Sequence, residues 1–325
     1  MSNREALAAK STATAAAGGD YDGAMSGAVL YVSPHADDVA FSAAGQLARD
    51  VAAGARVTLL TLFDAPDEAA FSDAAARHAE DDDFARVFGV TLLRGPFADA
   101  IVRRPRYRAP RRLFAPLPAD EAPLVDEVRA LLQSHVDGGC RTLVAPLGVG
   151  GHVDHQIAHA AARAVVGCEL RFYEDTPYVL TPYQLPRRLA RLEAAVAGAP
   201  NPADATLLRG TVHAELSAAA RAWLTSPLIE DRVGPQLRKL AVATILTPEW
   251  TRWPRRSRTG RHRFAPSLLE SPTLAEDKLR AIAAYPSQWR LFYRALDDWR
   301  AALERYGRAI TGGRAGVVER SWQLA

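Results

Sequence analysis

Short apolar runs rich in β-formers alternate with helical stretches from Ala28 onward, and this alternation restricts the fold more than any other feature. AVLYVS (Ala28–Ser33), RVTLLTLF (Arg56–Phe63), VTLLR (Val90–Arg94), RTLVAPL (Arg141–Leu147) and ELRFYE (Glu169–Glu174) read as strands. Helical patterns over Asp38–Gly54, Ser72–Phe88, Asp120–Val136 and Val153–Val166 separate them. Strands that are apolar throughout, each followed by a helix, predict an α/β, Rossmann-like, mainly parallel sheet flanked by helices. In such sheets the chemistry collects at the carboxyl ends of the strands. The stretch Gly95–Pro118, rich in proline and arginine, is too long for a simple connector and reads as a functional loop.

The remainder of the chain is organised around this core, residues 27–180. Residues 1–26 are small and polar and read as a disordered leader without a signal-peptide core. Beyond residue 180 the alternation fades into helical segments at Pro186–Ala197, Ala214–Leu224, Pro235–Ile245 and Leu274–Ala284. Residues 181–325 are thus expected to form a helical, loop-rich elaboration that packs over the active-site face within the same domain. No apolar window is long enough to span a bilayer. Cys140 and Cys168, the two cysteines, read as core thiols of a reducing compartment, and the cytoplasm is the expected location. The formal net charge of +3 is too small for a dedicated nucleic-acid binder. Two basic runs, Arg103–Arg112 and Arg252–Arg263, read first as solvated loops and second as a rim for an anionic substrate. A homo-oligomer is left open.

One strand end carries three ionisable residues in four positions. In SPHADDVAFSAAG, His35 and Asp38 are three apart across a strand-to-helix turn, with Asp37 between them. Alone, an aspartate at a helix start is more often an N-cap than a ligand. A second cluster answers it: GVGGHVDHQIAH (Gly148–His159) also follows a strand and opens a helix, and it places His152, Asp154 and His155 at the same spacing. One parallel sheet can bring the two clusters face to face. Histidines and an aspartate suit a zinc-like divalent ion, and three protein ligands leave a fourth position for water, as in catalytic sites.

These motifs resemble the PIG-L/LmbE-like family of zinc-dependent de-N-acetylases. Supporting similarities are Arg77 and Glu80 in RHAEDDDFARVFGV and the segment KLRAIAAYPSQ (Lys278–Gln288). The resemblance implies that His35, Asp38 and His155 hold Zn2+, with another divalent ion as the substitute. It implies Asp37 as general base, and a protonated His152 as the electrophile that steadies the oxyanion. Asp154 would be hydrogen-bonded to His152, setting its tautomer and charge. The implied reaction is hydrolysis of the acetamide of an N-acetylglucosamine-type conjugate, a small molecule whose carrier is anionic if the arginine runs face it. The alternatives are a same-fold hydrolase acting on another acyl amide or ester, and a non-catalytic binding protein for an anionic ligand. Retention of both Asp37 and His152 argues against the last. The chain departs from the family at Ala36 and Val39, and it has Gly150 where some thiol-pathway members carry a mobile tyrosine.

Lesser features have competing readings. Arg77 could clamp a sugar hydroxyl or pair along its helix with Glu80 or Asp81. Glu174 and Asp175 could touch sugar hydroxyls or shape the turn before Pro177. Asp81, Asp82 and Asp83 read as a solvated helix face, His159 as a packed core histidine, and Trp250, Trp253, Trp289 and Trp299 as core.

Overall fold

The computed structural model describes residues 27–65, 74–180, 184–192, 194–196 and 262–324. The expected leader, the helices at 214–224 and 235–245, Trp250, Trp253 and most of the second basic run lie outside them. The predicted core strands form as read: β1 (Ala28–Ser33), β2 (Arg56–Thr61), β3 (Thr91–Arg94), β4 (Cys140–Pro146) and β5 (Glu169–Tyr173). They pair in parallel in the order β3-β2-β1-β4-β5. Tyr31, Val32, Leu143 and Val144 are fully buried in the two central strands. Each such apolar side chain contributes about 1.5–3 kcal/mol by leaving water.

Helices flank this sheet: α1 (Asp38–Ser42), α2 (Ala44–Ala52), α3 (Ala74–Phe88), α6 (Ala122–Asp137) and α7 (Val153–Arg163). The segment expected as one helix over Asp38–Gly54 is broken at Ala43 into α1 and α2. The long loop after β3 contains two single-turn helices, α4 (Ala100–Arg103) and α5 (Pro110–Leu113). Strand order reverses between β1 and β4, because β2 and β3 lie on one side of β1 while β4 and β5 lie on the other. The carboxyl ends of those two strands flank the switch point, where α/β sheets open a crevice.

The C-terminal portion departs from the expectation of helices alone. It contributes α8 (Gln184–Arg191), α9 (Leu274–Ala283), α10 (Pro286–Phe292) and α11 (Leu296–Thr311), and also three strands. These are β6 (Ala194–Val196), β7 (His262–Leu269) and β8 (Glu319–Leu324). β8 pairs antiparallel with β5, extending the same sheet to eight strands among the described residues. Strand β8 reads ERSWQL, too polar and short to show a strand pattern by itself. Its place is decided by the open edge of β5. No helix among the described residues is long and apolar enough to cross a membrane. Both cysteines are free thiols, Cys140 buried and Cys168 partly so.

Candidate metal centre

The turn after β1 presents His35, Asp37 and Asp38, and the turn after neighbouring β4 presents His152 and His155. Asp37 precedes α1 with φ 98° and ψ −30°, and its side chain makes no capping hydrogen bond. The dull reading of this aspartate as an N-cap therefore fails. Asp38 turns back instead: its Oδ2 accepts the His35 backbone N–H at 2.8 Å and lies 3.4 Å from His35 Nδ1 and 3.3 Å from His155 Nε2. Ligand-type nitrogens of His35, His152 and His155 all lie within 4.8 Å of one another. Both halves of the predicted site thus meet at one point.

Hydrogen bonds around the rings determine what each nitrogen can offer. Asp175 Oδ1 sits 2.6 Å from His155 Nδ1, so that nitrogen carries a proton and Nε2 is the one turned toward Asp38. The other oxygen of Asp175 accepts the N–H groups of Gly148 and Val149, each at 2.7 Å. Asp175 is therefore a fully buried anchor for His155 and its loop, and the expectation of a sugar contact is corrected. His152 Nδ1 accepts the Asp154 backbone N–H at 3.3 Å, which leaves Nε2 as the protonated nitrogen of a neutral ring. Burial, then the charge of His35, holds the His152 pKa well below its usual value. Two expectations change here: the ring is neutral rather than protonated, and Asp154 sets its tautomer through the backbone. The Asp154 carboxylate is bonded to His35 Nε2 (3.2 Å), the Ala100 N–H (2.9 Å) and Arg103 (2.8 Å).

Negative charge accumulates around these rings. Asp99 Oδ2 lies 3.5 Å from His35 Nε2, while its other oxygen caps α4 at Ile101. Burial works against a charge on His35, but hydrogen bonds to Asp154 and Asp38 outweigh it and raise its pKa. Burial, then the Asp38 charge, raises the pKa of Asp37 well above the carboxylate range, with His35 and Arg77 pulling the other way. His35 stands among the carboxylates of Asp38, Asp99 and Asp154 with the rings of His152 and His155 within reach, and this marks a place where a divalent cation fits. The donor set, imidazole nitrogen and carboxylate oxygen, suits zinc.

The cluster lines a cleft of about 180 Å³ whose walls include Arg77, Asp99, Tyr178, Gln288 and Phe292. A larger open depression of about 470 Å³ beside Glu270 and Glu304 contains no histidine, so the smaller cleft is where chemistry is assigned. Arg77 reaches this cleft, and its Nε is buried without a hydrogen-bond partner. Glu80 bonds Ser287 instead of Arg77, at 2.6 Å to both its N–H and its hydroxyl. Asp81 accepts from Tyr285 and Thr61 and is wholly buried, so it is not part of a solvated face. Burial raises its pKa to about 6.

Glu174 lies outside the cleft contacts expected for it. It is buried and accepts from Arg320 (2.7 Å), Trp322 (2.8 Å) and Tyr306, tying β5 to α11 and β8. His159 is a core histidine as read, with Nδ1 3.0 Å from the Pro146 carbonyl. Trp299 is core as read. Half of the first basic run is consumed internally: Arg103 pairs with Asp154, and Arg104 and Arg106 with Asp120 and Glu121. An anionic rim could use only Arg108, Arg111 and Arg112 of that run, which are exposed.

Asp99, Tyr178 and Phe114 are site residues that sequence reasoning missed. Asp99 stands where an ordinary N-cap would, so no spacing sets it apart. Tyr178 fills the space over Gly150, where a Cβ would sit 2.5 Å from its ring at φ +86°. A tyrosine thus reaches the site from beyond β5, its ring edge-on to His155 at 6.0 Å. Phe114 stands edge-on to His152 at 5.6 Å.

An α/β protein with a candidate metal centre at the switch point of its parallel sheet is the class this fold and site define. Residues 30–166 match the PIG-L family model, described as GlcNAc-PI de-N-acetylase. The chain is 38% identical over 165 residues to 2'-N-acetylparomamine deacetylase of Streptomyces fradiae. That match spans 47% of this chain and 58% of the relative's length. Among solved structures, a teicoplanin deacetylase in its zinc-inhibited form superposes with a TM-score of 0.60 at 18% identity, over 92% of this chain and 98% of that one. The A40926 pseudoaglycone deacetylase gives 0.54 at 18% identity, over 91% and 96%. Both share the fold of this chain.

Proposed function

We propose that the chain is a metal-dependent N-deacetylase that hydrolyses the acetamide of a small amino-sugar conjugate, giving acetate and a free amine. One observation carries this reading: Asp37 and His152, whose Nδ1 accepts the Asp154 N–H and so leaves Nε2 as a donor, share one cleft with a His35, Asp38 and His155 cluster. The deacetylase family of residues 30–166 and the names of the relatives support it.

His35, Asp38 and His155 would hold the metal, zinc by their chemistry, and His155 would offer Nε2. His152 is not counted as a ligand, because its one lone pair is engaged at Nδ1 by the Asp154 N–H. Bound there, zinc would supply Lewis acidity to the amide carbonyl and the attacking water. Asp37 takes the proton of that water and later gives it back. The proton goes to the departing nitrogen, which leaves as the amine. His152 Nε2–H donates to the carbonyl oxygen as negative charge builds there. Arg77, Asp99 and Gln288 supply hydrogen-bonding groups for sugar hydroxyls along the cleft.

The test is amine release by the zinc-loaded full chain from free, nucleotide-linked, lipid-linked and glycopeptide-linked N-acetylglucosamine, and from an N-acetylated aminoglycoside. Asp37→Ala is expected to retain zinc and to lose roughly 10²–10⁴-fold in kcat. Activity near wild type in that variant would overturn the assignment of the base.

A further inference from the structure

We infer that Lys278 of α9 and Glu319 of β8 are positioning residues for Asp37 and Asp38, so that the C-terminal portion completes the site. This deepens the proposed function and rests on its reading of those two aspartates. The break at Ala43 ends α1 after five residues and starts α2 at once. Such a break leaves carbonyls at the end of one helix and N–H groups at the start of the next without helical partners. Lys278 Nζ donates to the carbonyls of Phe41 (2.9 Å) and Ser42 (3.2 Å). Glu319 accepts the N–H groups of Gly45 (2.9 Å) and Gln46 (2.8 Å). The two side chains pair at 3.0 Å and are buried. A Cβ at Gly45 would lie 1.9 Å from Leu274 Cδ1 and 3.3 Å from the Glu319 carboxyl group. The glycine is what lets both approach.

The other end of α1 is where the site residues lie. Asp38 is its first residue, and Asp37 before it is the one non-glycine residue with positive φ among those described. A backbone in that region persists only where its surroundings over-determine it. The helix between the two ends is about 7.5 Å long, so a tilt at its carboxyl end moves Asp38 directly. Ser42, its last residue, also accepts the Thr176 N–H at 2.9 Å, next to the Asp175 that orients His155. One short helix therefore couples the ion pair to both halves of the metal cluster. A buried ion pair is a poor source of stability compared with apolar residues of the same size. Its contribution here is geometric. A consequence is that residues 30–166 hold the site side chains without Asp175, Lys278 and Glu319, which help to orient them.

The experiment uses the full chain and the variant Lys278→Met/Glu319→Gln, which removes both charges together and strands neither. Leu303→Ala, buried in α11, is the control for lost stability alone. Zinc affinity is measured by competition with a chromophoric chelator, and the pH profile of kcat/KM is recorded alongside. The double variant is expected to bind zinc at least about 10-fold more weakly, with kcat reduced more than KM is raised. Leu303→Ala is expected to lower Tm and keep wild-type zinc affinity. Zinc affinity and a pH profile within about two-fold of wild type in the double variant would overturn the inference whatever its Tm. So would equal losses of affinity in both variants. Should the double variant not fold, Glu319→Gln alone is read by the same affinity criterion. A wild-type chain that binds no zinc would instead overturn the metal reading itself.

Discussion

Asp37 combines two conditions that each disfavour a folded protein. Its backbone stands at φ 98°, and its carboxylate is partly buried beside Asp38 with its pKa raised. A non-glycine residue in such a region costs roughly 1–3 kcal/mol. Glycine adopts that conformation freely. Asp37→Gly is therefore expected to raise stability by about 1–3 kcal/mol while lowering the proposed activity by roughly 10²–10⁴-fold and keeping zinc. Calorimetry with zinc analysis of the same sample checks it; a lower Tm would show that the carboxylate stabilises the turn. Asp175 is the reverse case. Its two oxygens hold His155 and the Gly148–Val149 turn, so Asp175→Ala should weaken zinc binding about 10–100-fold and lower Tm together. Chelator competition gives the first effect and thermal unfolding the second.

At the scale of elements, strands β1 to β5 were readable because each is a short apolar run bounded by turn residues. The break between α1 and α2 was not readable. Ala43 is a good helix former, and Lys278 and Glu319, brought from more than two hundred residues away, cap the interrupted backbone. The contact of α2 with α9 gives a direct test. Gly45→Ala forces a Cβ against Leu274 and should destabilise by about 1–3 kcal/mol. Adding Leu274→Ala should recover part of that loss, since it removes the clashing methyl groups. Urea unfolding of the two single variants and the double variant measures the coupling, and strict additivity would refute the proposed contact.

For the whole molecule, the sheet is one object built from both ends of the chain. β8 closes the open edge of β5, and Arg320, Trp322 and Tyr306 converge on the buried carboxylate of Glu174. Arg320→Ala strands that carboxylate in the interior and should cost about 3–5 kcal/mol, measured as a fall in the urea midpoint. Charge distribution follows the same logic. Half of the arginines that made the loop after β3 look like a binding rim, Arg103, Arg104 and Arg106, neutralise carboxylates of the protein itself, at Asp154, Asp120 and Glu121.

The sequence by itself determined the sheet's core order of strand and helix, and the two His/Asp clusters at strand ends. Periodicity and spacing are local properties, and β1 and β4 need only be neighbours for His35, Asp38 and His155 to meet. What each carboxylate does was decided by tertiary structure alone. Asp175, Glu174, Asp154 and Asp81 all read simply as carboxylates in the sequence, yet one anchors a histidine and one neutralises an arginine of β8. Of the other two, one bridges His35 to Arg103 and one is sealed under Tyr285. A buried charge takes its role from the partner that compensates it, and those partners arrive from distant segments only when the chain has folded.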